Sequence, residues 1–369
     1  MNVRLEASFE NIGKEKWNVL VSQSATNTIF QTYEWNYAWW KTYGMDKELF
    51  IVCVEYENNL IGIAPLMICR GNKDKKILRF IGHGRSDYSD FFYTDRKVLE
   101  PIFEFIKSQS SKWEEIELNR IPGYSTTSVL IRSVCKDQIL YCLKDRTTLW
   151  STLDIRKDPD FAQKIQNKKK LIQYKNYFLK KGAYKTTHIT DKHEMIQHLE
   201  HFFQQHIERW RATETQSLFM EQENRNFYKE LVLNMADNGW IIFTVVESNG
   251  MPIAFHFGFM YNNKIIFYKP SFEISLAKYS PGQVLLKELF DYAMVNNLDE
   301  FDFTVGDEAY KRRFSNKTGE NISYRVFRKY RIYLIYKTMN IIKEKMKKYK
   351  LGNSIITFVK EKGGITPGI

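Results

Sequence analysis

The chain has 369 residues, 43% hydrophobic and 15% aromatic, which is more than one average core absorbs and far more aromatic than a disordered chain. Its net charge of +12 is concentrated at one end, since Arg325 to Lys350 holds ten Lys and Arg against the single acid Glu344. No run reaches the roughly 20 uncharged apolar residues of a membrane span, the N-terminus lacks a secretory apolar stretch, and the four cysteines form no C-x-x-C, so the expectation is a two-domain cytoplasmic protein with neither a disulfide framework nor a metal site.

In chain order, LFIVCVEY at 49 to 56 and LIGIAPLMI at 60 to 68 read as a hairpin about a turn at Asn58 and Asn59. A strand, KILRFIG at 76 to 82, a helix around Val98 to Ser108 and a short strand at 113 to 121 follow. The segment from Phe161 to Gly182 reads as one basic helix stopped by its glycine. Beyond it the order repeats: strands at 240 to 247 and 252 to 260 about the turn Asn249-Gly250, a strand at 264 to 270, a helix from Gly282 to Asn296, and the alternating strand EFDFTV at 300 to 305. Past about Asn321 the pattern becomes a long basic helix with an apolar seam of Ile335, Met339, Ile342, Met346 and Tyr349. The division is 1–150, 151–320 and a basic amphipathic tail, 321–369. The fold class is α/β (α+β), each domain a mixed sheet flanked by helices.

His193, His198, His201 and His206 suggest no metal site, because only His198 and His201 stand one helical turn apart without a completing carboxylate or cysteine. No G-x-S-x-G elbow or Cys–His pair points to a covalent intermediate.

An ordered series of short motifs remains: FAQKIQNKKK from Phe161, HIERW at 206 to 210, PIA at 252 to 254, SPG at 280 to 282, FDF at 301 to 303 and GDEAYK at 306 to 311. The first half adds FQ at 30 to 31, Trp35, Trp39 and Trp40, GIAPL at 62 to 66 and DYSD at 87 to 90. In order and spacing the series resembles the CelD/BcsL-like acetyltransferases of the GNAT superfamily, and the duplicated element order is similar to the double-GNAT arrangement of Fem-type peptidyltransferases. The resemblance implies two tandem GNAT-like domains and transfer of an acyl group, acetyl in the first instance, from acyl-CoA to an amine or hydroxyl of a sugar or polysaccharide precursor of the cell envelope. Two alternatives stay open: Fem-like transfer from aminoacyl-tRNA, and a degenerate GNAT pair serving as a binding subunit of a polysaccharide machinery.

By the same resemblance the pyrophosphate of coenzyme A would sit at the helix start, with Lys278, Ser280, Gly282 and Gln283 as the binding set. The family's glycine-rich signature is incomplete there, since only Gly282 matches and Ala277 replaces a basic or amide residue; an ordinary helix cap is the competing reading. Strand alternation puts Asp302 opposite Phe301 and Phe303, as a base if that face borders the cleft. The resemblance assigns Lys311 to electrostatic stabilisation of substrate or oxyanion and Tyr310 to protonation of the leaving group. Asp87 and Asp90 either face the same cleft or cap turns. Arg209 and Trp210 either clamp an anionic or sugar substrate or, for Trp210, belong to the core, and His256 is either a substrate contact or a core histidine. The basic helix over 325–350 either lies against an anionic membrane, at the inner face, or packs on protein.

Overall fold

The computed structural model describes residues 1–211, 213–343 and 345–346. The first half comprises β1 (Asn2–Glu6), α1 (Lys14–Gln23), α2 (Tyr33–Tyr43), β2 (Glu48–Tyr56), β3 (Asn59–Arg70), β4 (Lys76–Phe80), β5 (Phe92–Tyr93), α3 (Leu99–Ser108), β6 (Glu115–Pro122), α4 (Thr126–Asp137) and β7 (Tyr141–Asp154). The second comprises α5 (Pro159–Gln166), α6 (Lys169–Lys181), β8 (Tyr184–Ile189), α7 (Lys192–Arg211), α8 (Gln222–Met235), β9 (Ile241–Ser248), β10 (Met251–Tyr261), β11 (Lys264–Phe272), α9 (Pro281–Val295), β12 (Glu300–Val305), α10 (Ala309–Phe314) and β13 (Lys317–Phe327). A further helix, α11, runs over 330–343.

The two expected units share a single mixed sheet of thirteen strands. Its order is β1-β2-β3-β4-β6-β13-β7-β12-β11-β10-β9-β8, with β5 beside β3. The exchange lies in the middle. β7, the last strand of the first half, pairs with β12 of the second, while β13, the last strand of the second, pairs with β6 of the first. β7 and β13 then pair with each other from Tyr141 opposite Phe327 to Thr152 opposite Lys317. Residue 151 therefore lies inside β7 and residue 321 inside β13, so the basic tail begins near residue 330.

Strand alternation sorts the cores. On β2, Phe50, Val52 and Val54 face α3 and α4, whereas Ile51 and Cys53 face the opposite side. On β10, Ala254 joins the core under α9 and Phe255, Phe257 and Phe259 face the other way. The core on that second side belongs to both halves: Trp35 of α2 meets Phe227 of α8 at 5.3 Å and Phe259 and Tyr268 at 5.7 Å each. Aromatic pairs at these separations add to plain area burial, so the halves are joined by packing as well as by strands.

Three sequence expectations change. The first hairpin turns on Glu57 and Asn58, both at positive φ, one residue earlier than expected. The basic segment is two helices, because Asn167 ends α5 and Lys168 is extended before α6 starts. The C-terminal helix docks through Tyr333 and Tyr336, against Tyr141 and Phe327. Its expected seam, Ile335, Met339, Ile342 and Met346, is exposed; Tyr349 lies outside the described residues.

Candidate active site

The parallel ladder between β11 and β12 is short: Lys264, Ile265 and Ile266 stand opposite Glu300, Phe301 and Asp302, and then the strands part. Bulges sit at the parting. In β11, Ile266 to Lys269 spans what Phe259 to Phe257 spans in β10. In β12, Asp302 to Val305 spans what Thr152 to Trp150 spans in β7. An extra residue in one strand breaks the ladder and re-aims its neighbours. Within the β12 bulge Thr304 has φ 59°, a region that β-branched residues seldom occupy and that concentrates at functional sites.

That turn directs the Thr304 N–H onto Asp302 Oδ1 at 2.7 Å. Tyr88, from the loop after β4, donates its hydroxyl to the same oxygen at 2.9 Å. Oδ2 has no hydrogen-bond donor among the described residues. Asp302 lines a cavity of about 800 Å³ together with Tyr88, Tyr124, Trp150 and Tyr261. The cavity lies where the halves meet, since Tyr88 and Tyr124 come from the first, Tyr261 from the second, and Trp150 from the exchanged strand β7. Burial pushes the Asp302 carboxyl up to about 6, against the opposing hydrogen bonds from Thr304 and Tyr88. Glu300, two residues earlier on the same face, is ion-paired to Lys264 at 2.7 Å and Lys317 at 3.1 Å. Two neighbouring carboxylates thus have different surroundings, which is how paired acids acquire separate roles.

After the bulge Gly306 has φ 145° and Lys311 folds back, its Nζ donating to the Val305 carbonyl at 2.7 Å and lying 3.2 Å from Glu308. Tyr310 is half-buried with its ring 6.3 Å from Phe303; burial raises its phenol and Arg209 opposes that rise. The expected trio is therefore arranged around the end of β12, with Asp302 on the cavity face and Tyr310 on the α9 side.

At the start of α9, Ser280 adopts left-handed φ 58° and makes no side-chain cap. Pro281 occupies the first turn, Gly282 packs against the Phe272 ring, and the Gln283 and Val284 N–H groups bond the Ser280 carbonyl. The Gly282 N–H is left unpaired among the described residues. An uncapped helix start with an open N–H suits a phosphate. Lys278 is exposed over the Tyr279 ring at 4.8 Å, and Gln283 accepts from Arg313 at 3.3 Å.

The remaining expected residues lie elsewhere. Asp87 is held by Arg120 at 2.7 Å. Asp90 is buried, accepts from the Phe91 N–H at 2.8 Å and from the Ser125 hydroxyl, and is pushed up to about 6 by burial; it holds the start of α4 rather than facing the cleft. Arg209 donates to the Pro270 carbonyl at 2.9 Å and lies 4.4 Å over the Phe272 ring, next to the α9 start. Trp210 stacks on buried His206 at 5.6 Å. His256 is fully buried and stacked on Phe267 at 4.9 Å, and burial holds it near 3, so it is a neutral core histidine. The sequence reading missed Tyr124, Trp150, Lys264 and Lys317. For Lys264 and Glu300 a signal existed, because strand alternation places Glu300 on the face of Asp302.

Residues 166–312 match the model of an acetyltransferase (GNAT) domain. That stretch, less than half of the chain, is similar to a GNAT acetyltransferase domain. The whole fold of the chain is that of the tandem GNATs. The crystal structure of FemX superposes on 92% of this chain and all of its own, with TM-score 0.64 at 11% identity. L-PGS from Bacillus licheniformis covers 89% of this chain and 96% of its own, with TM-score 0.52 at 12% identity. A tandem GNAT protein from the clavulanic acid biosynthesis pathway covers 88% and 97%, with TM-score 0.50 at 9% identity. At such identities the likeness is one of fold. No curated protein matches the chain. The GNAT match ends at residue 312, so α11 and its exposed apolar face lie beyond it, and no helix among the described residues is long and apolar enough to cross a membrane.

Proposed function

We propose that this protein transfers an acyl group, acetyl in the first instance, from acyl-coenzyme A to an amine or hydroxyl of a sugar-containing envelope precursor. The carrying observation is the half-buried Asp302 carboxylate, with one oxygen fixed by Tyr88 and Thr304 and the other open to a cavity of about 800 Å³ at the parting of β11 and β12. A base is most effective when its pKa lies near the working pH, and about 6 is close enough for ionised Asp302 to predominate at neutral pH. In this reading Asp302 takes the proton of the attacking amine or hydroxyl. The nucleophile adds to the thioester carbonyl, and the coenzyme A thiolate leaves, protonated by Tyr310. Lys311 stabilises negative charge that develops beside Gly306, and the uncapped start of α9 with Lys278 holds the pyrophosphate. Tyr124 and Trp150, edge to face at 6.0 Å, offer aromatic surface to a sugar ring.

The test is turnover of acetyl-CoA with a panel of amino-sugar nucleotides, read as free thiol and as a mass increase of the acceptor. Saturable coenzyme A binding and a mass-shifted acceptor support the proposal. Transfer that instead requires aminoacyl-tRNA and is destroyed by ribonuclease replaces the donor, and absence of both coenzyme A binding and transfer leaves a binding subunit. We also propose that α11 rests on an anionic membrane surface. Its exposed Ile335, Met339 and Ile342 stand among Arg331, Lys337 and Lys343, an apolar face edged with cations.

A further inference from the structure

The duplicated sheet builds a second cavity where the first half repeats the geometry of the active site. β4 and β6 run parallel from Ile77 opposite Glu115 to Arg79 opposite Glu117 and then part, as β11 and β12 do. β6 has its own bulge beyond that point, with Arg120 at φ 61° where β12 has Thr304 at 59°. The strands that complete each site are the exchanged pair, β13 beside β6 and β7 beside β12. A cavity of about 850 Å³ opens on this face of the first half, and α11 reaches it through Asn340 and Lys343.

Its chemistry differs from that of the active site. Aromatic side chains are absent from its lining, and five cations, Arg79, Lys144, Arg146, Arg325 and Lys343, face two carboxylates, Glu117 and Asp145. Both carboxylates are already engaged. Glu117 is paired with Arg79 and Arg325, each at 2.6 Å, and Asp145 with Arg325 at 3.3 Å. Lys144 reaches only the exposed Glu320 at 3.9 Å, and Arg146 and Lys343 have no carboxylate partner among the described residues. His83 completes the wall, its Nδ1 3.1 Å from the Asn119 amide nitrogen. Burial and the neighbouring Arg79 charge hold His83 down to about 4, so the ring is neutral at pH 7. With Nδ1 accepting from Asn119, its proton is on Nε2, and the ring is one more donor. Cations held in a fixed array by Glu117 and Asp145, with Lys144, Arg146 and Lys343 left over, match the oxygens of a polyphosphate.

We propose that this cavity is a second ligand site, separate from acyl transfer, that binds a small molecule bearing a di- or triphosphate. Inorganic pyrophosphate is the probe, titrated calorimetrically into the full chain with coenzyme A held saturating so that the start of α9 is blocked. The expected result is one binding event that persists with coenzyme A and weakens about tenfold or more in the double variant Lys144→Gln/Arg146→Gln. Both side chains are exposed and serve no buried ion pair, so the variant is expected to keep its circular dichroism and its acyl-transfer rate. Should it fail to fold, Lys343→Gln on the outer helix carries the same test, and Arg146→Lys is expected to retain most of the binding. Absence of binding, unchanged affinity in the variants, or complete loss of binding on adding coenzyme A overturns the proposal. Loss of acyl transfer in an Asp302 variant with pyrophosphate binding intact separates the two sites.

Discussion

Asp302 carries opposite consequences for activity and for stability. In its proposed role as base it must be ionised, so kcat/KM is expected to rise with pH through about 6 and to level above it. Asp302→Asn is expected to lower kcat by about 10²- to 10⁴-fold and to erase that acid limb; a limb that survives in the variant assigns the titration to another group. Tyr88→Phe removes a bond that favours the charged form, so its limb is expected at higher pH with turnover retained. Stability runs the other way. The folded-state pKa lies above the ordinary carboxylate value, so the contribution of Asp302 to stability is full below the ordinary range and is lost as pH rises through about 6. In urea unfolding at pH 7, Asp302→Asn is expected to exceed the wild type by about 1–2 kcal/mol, and at pH 4 the gap is expected to close. Gly306 makes the second residue-scale case. A Cβ there would run into Glu308 Oε2 and lie 2.5 Å from Lys311 Nζ, on a backbone at φ 145°. Gly306→Ala is expected to cost about 1–3 kcal/mol and to lower kcat by displacing Lys311 from the end of β12; unchanged stability and turnover would refute that placement.

Among the elements, the exchanged strands decide what can fold alone. A fragment ending at residue 150 leaves β6 without β13, and one beginning at 151 leaves β13 without most of β7. Each would bare a sheet edge and half of the shared aromatic core, a state prone to aggregation. Expressed separately, the fragments are expected to be insoluble or unfolded by circular dichroism, and co-expressed they are expected to copurify; a folded, monomeric 1–150 would contradict the exchange. The same feature marks where local reading stopped. The second hairpin, α9 and β12 were legible because Asn249-Gly250, the three- and four-residue spacing after Gly282 and the alternation of EFDFTV are local signals. β13 was read as the start of a helix because its partners, β6 and β7, are nearly two hundred residues away in the chain, and pairing at that range leaves no local period. The break at Asn167 and Lys168 escaped because Lys and Gln favour helix on both sides of it. For the site, alternation placed Asp302 on the face opposite Phe301 and Phe303, whereas Tyr88, Tyr124 and Trp150 arrive from loops and from the exchanged strand, where no spacing relates them to it.

At the scale of the molecule, the net charge of +12 acquires a location. α11 turns Tyr333 and Tyr336 inward and leaves Ile335, Met339 and Ile342 exposed. A helix that packs by aromatic residues and presents apolar ones outward needs a second surface, and each Lys or Arg near an anionic leaflet adds about 1 kcal/mol of attraction. The chain is therefore expected to float with vesicles containing anionic lipid, to stay behind with neutral ones, and to detach as salt shortens the range of the charge interaction. The truncation that tests this must end at residue 329, since one ending at 321 would remove half of β13 along with the helix. That truncated chain should remain folded and stay at the bottom of the gradient. Ile335→Asp/Met339→Asp in the intact chain should do the same with every lysine retained, which separates apolar insertion from simple charge attraction. If the double variant floats as well as the wild type, charge alone holds the helix to the surface and the apolar face has another use.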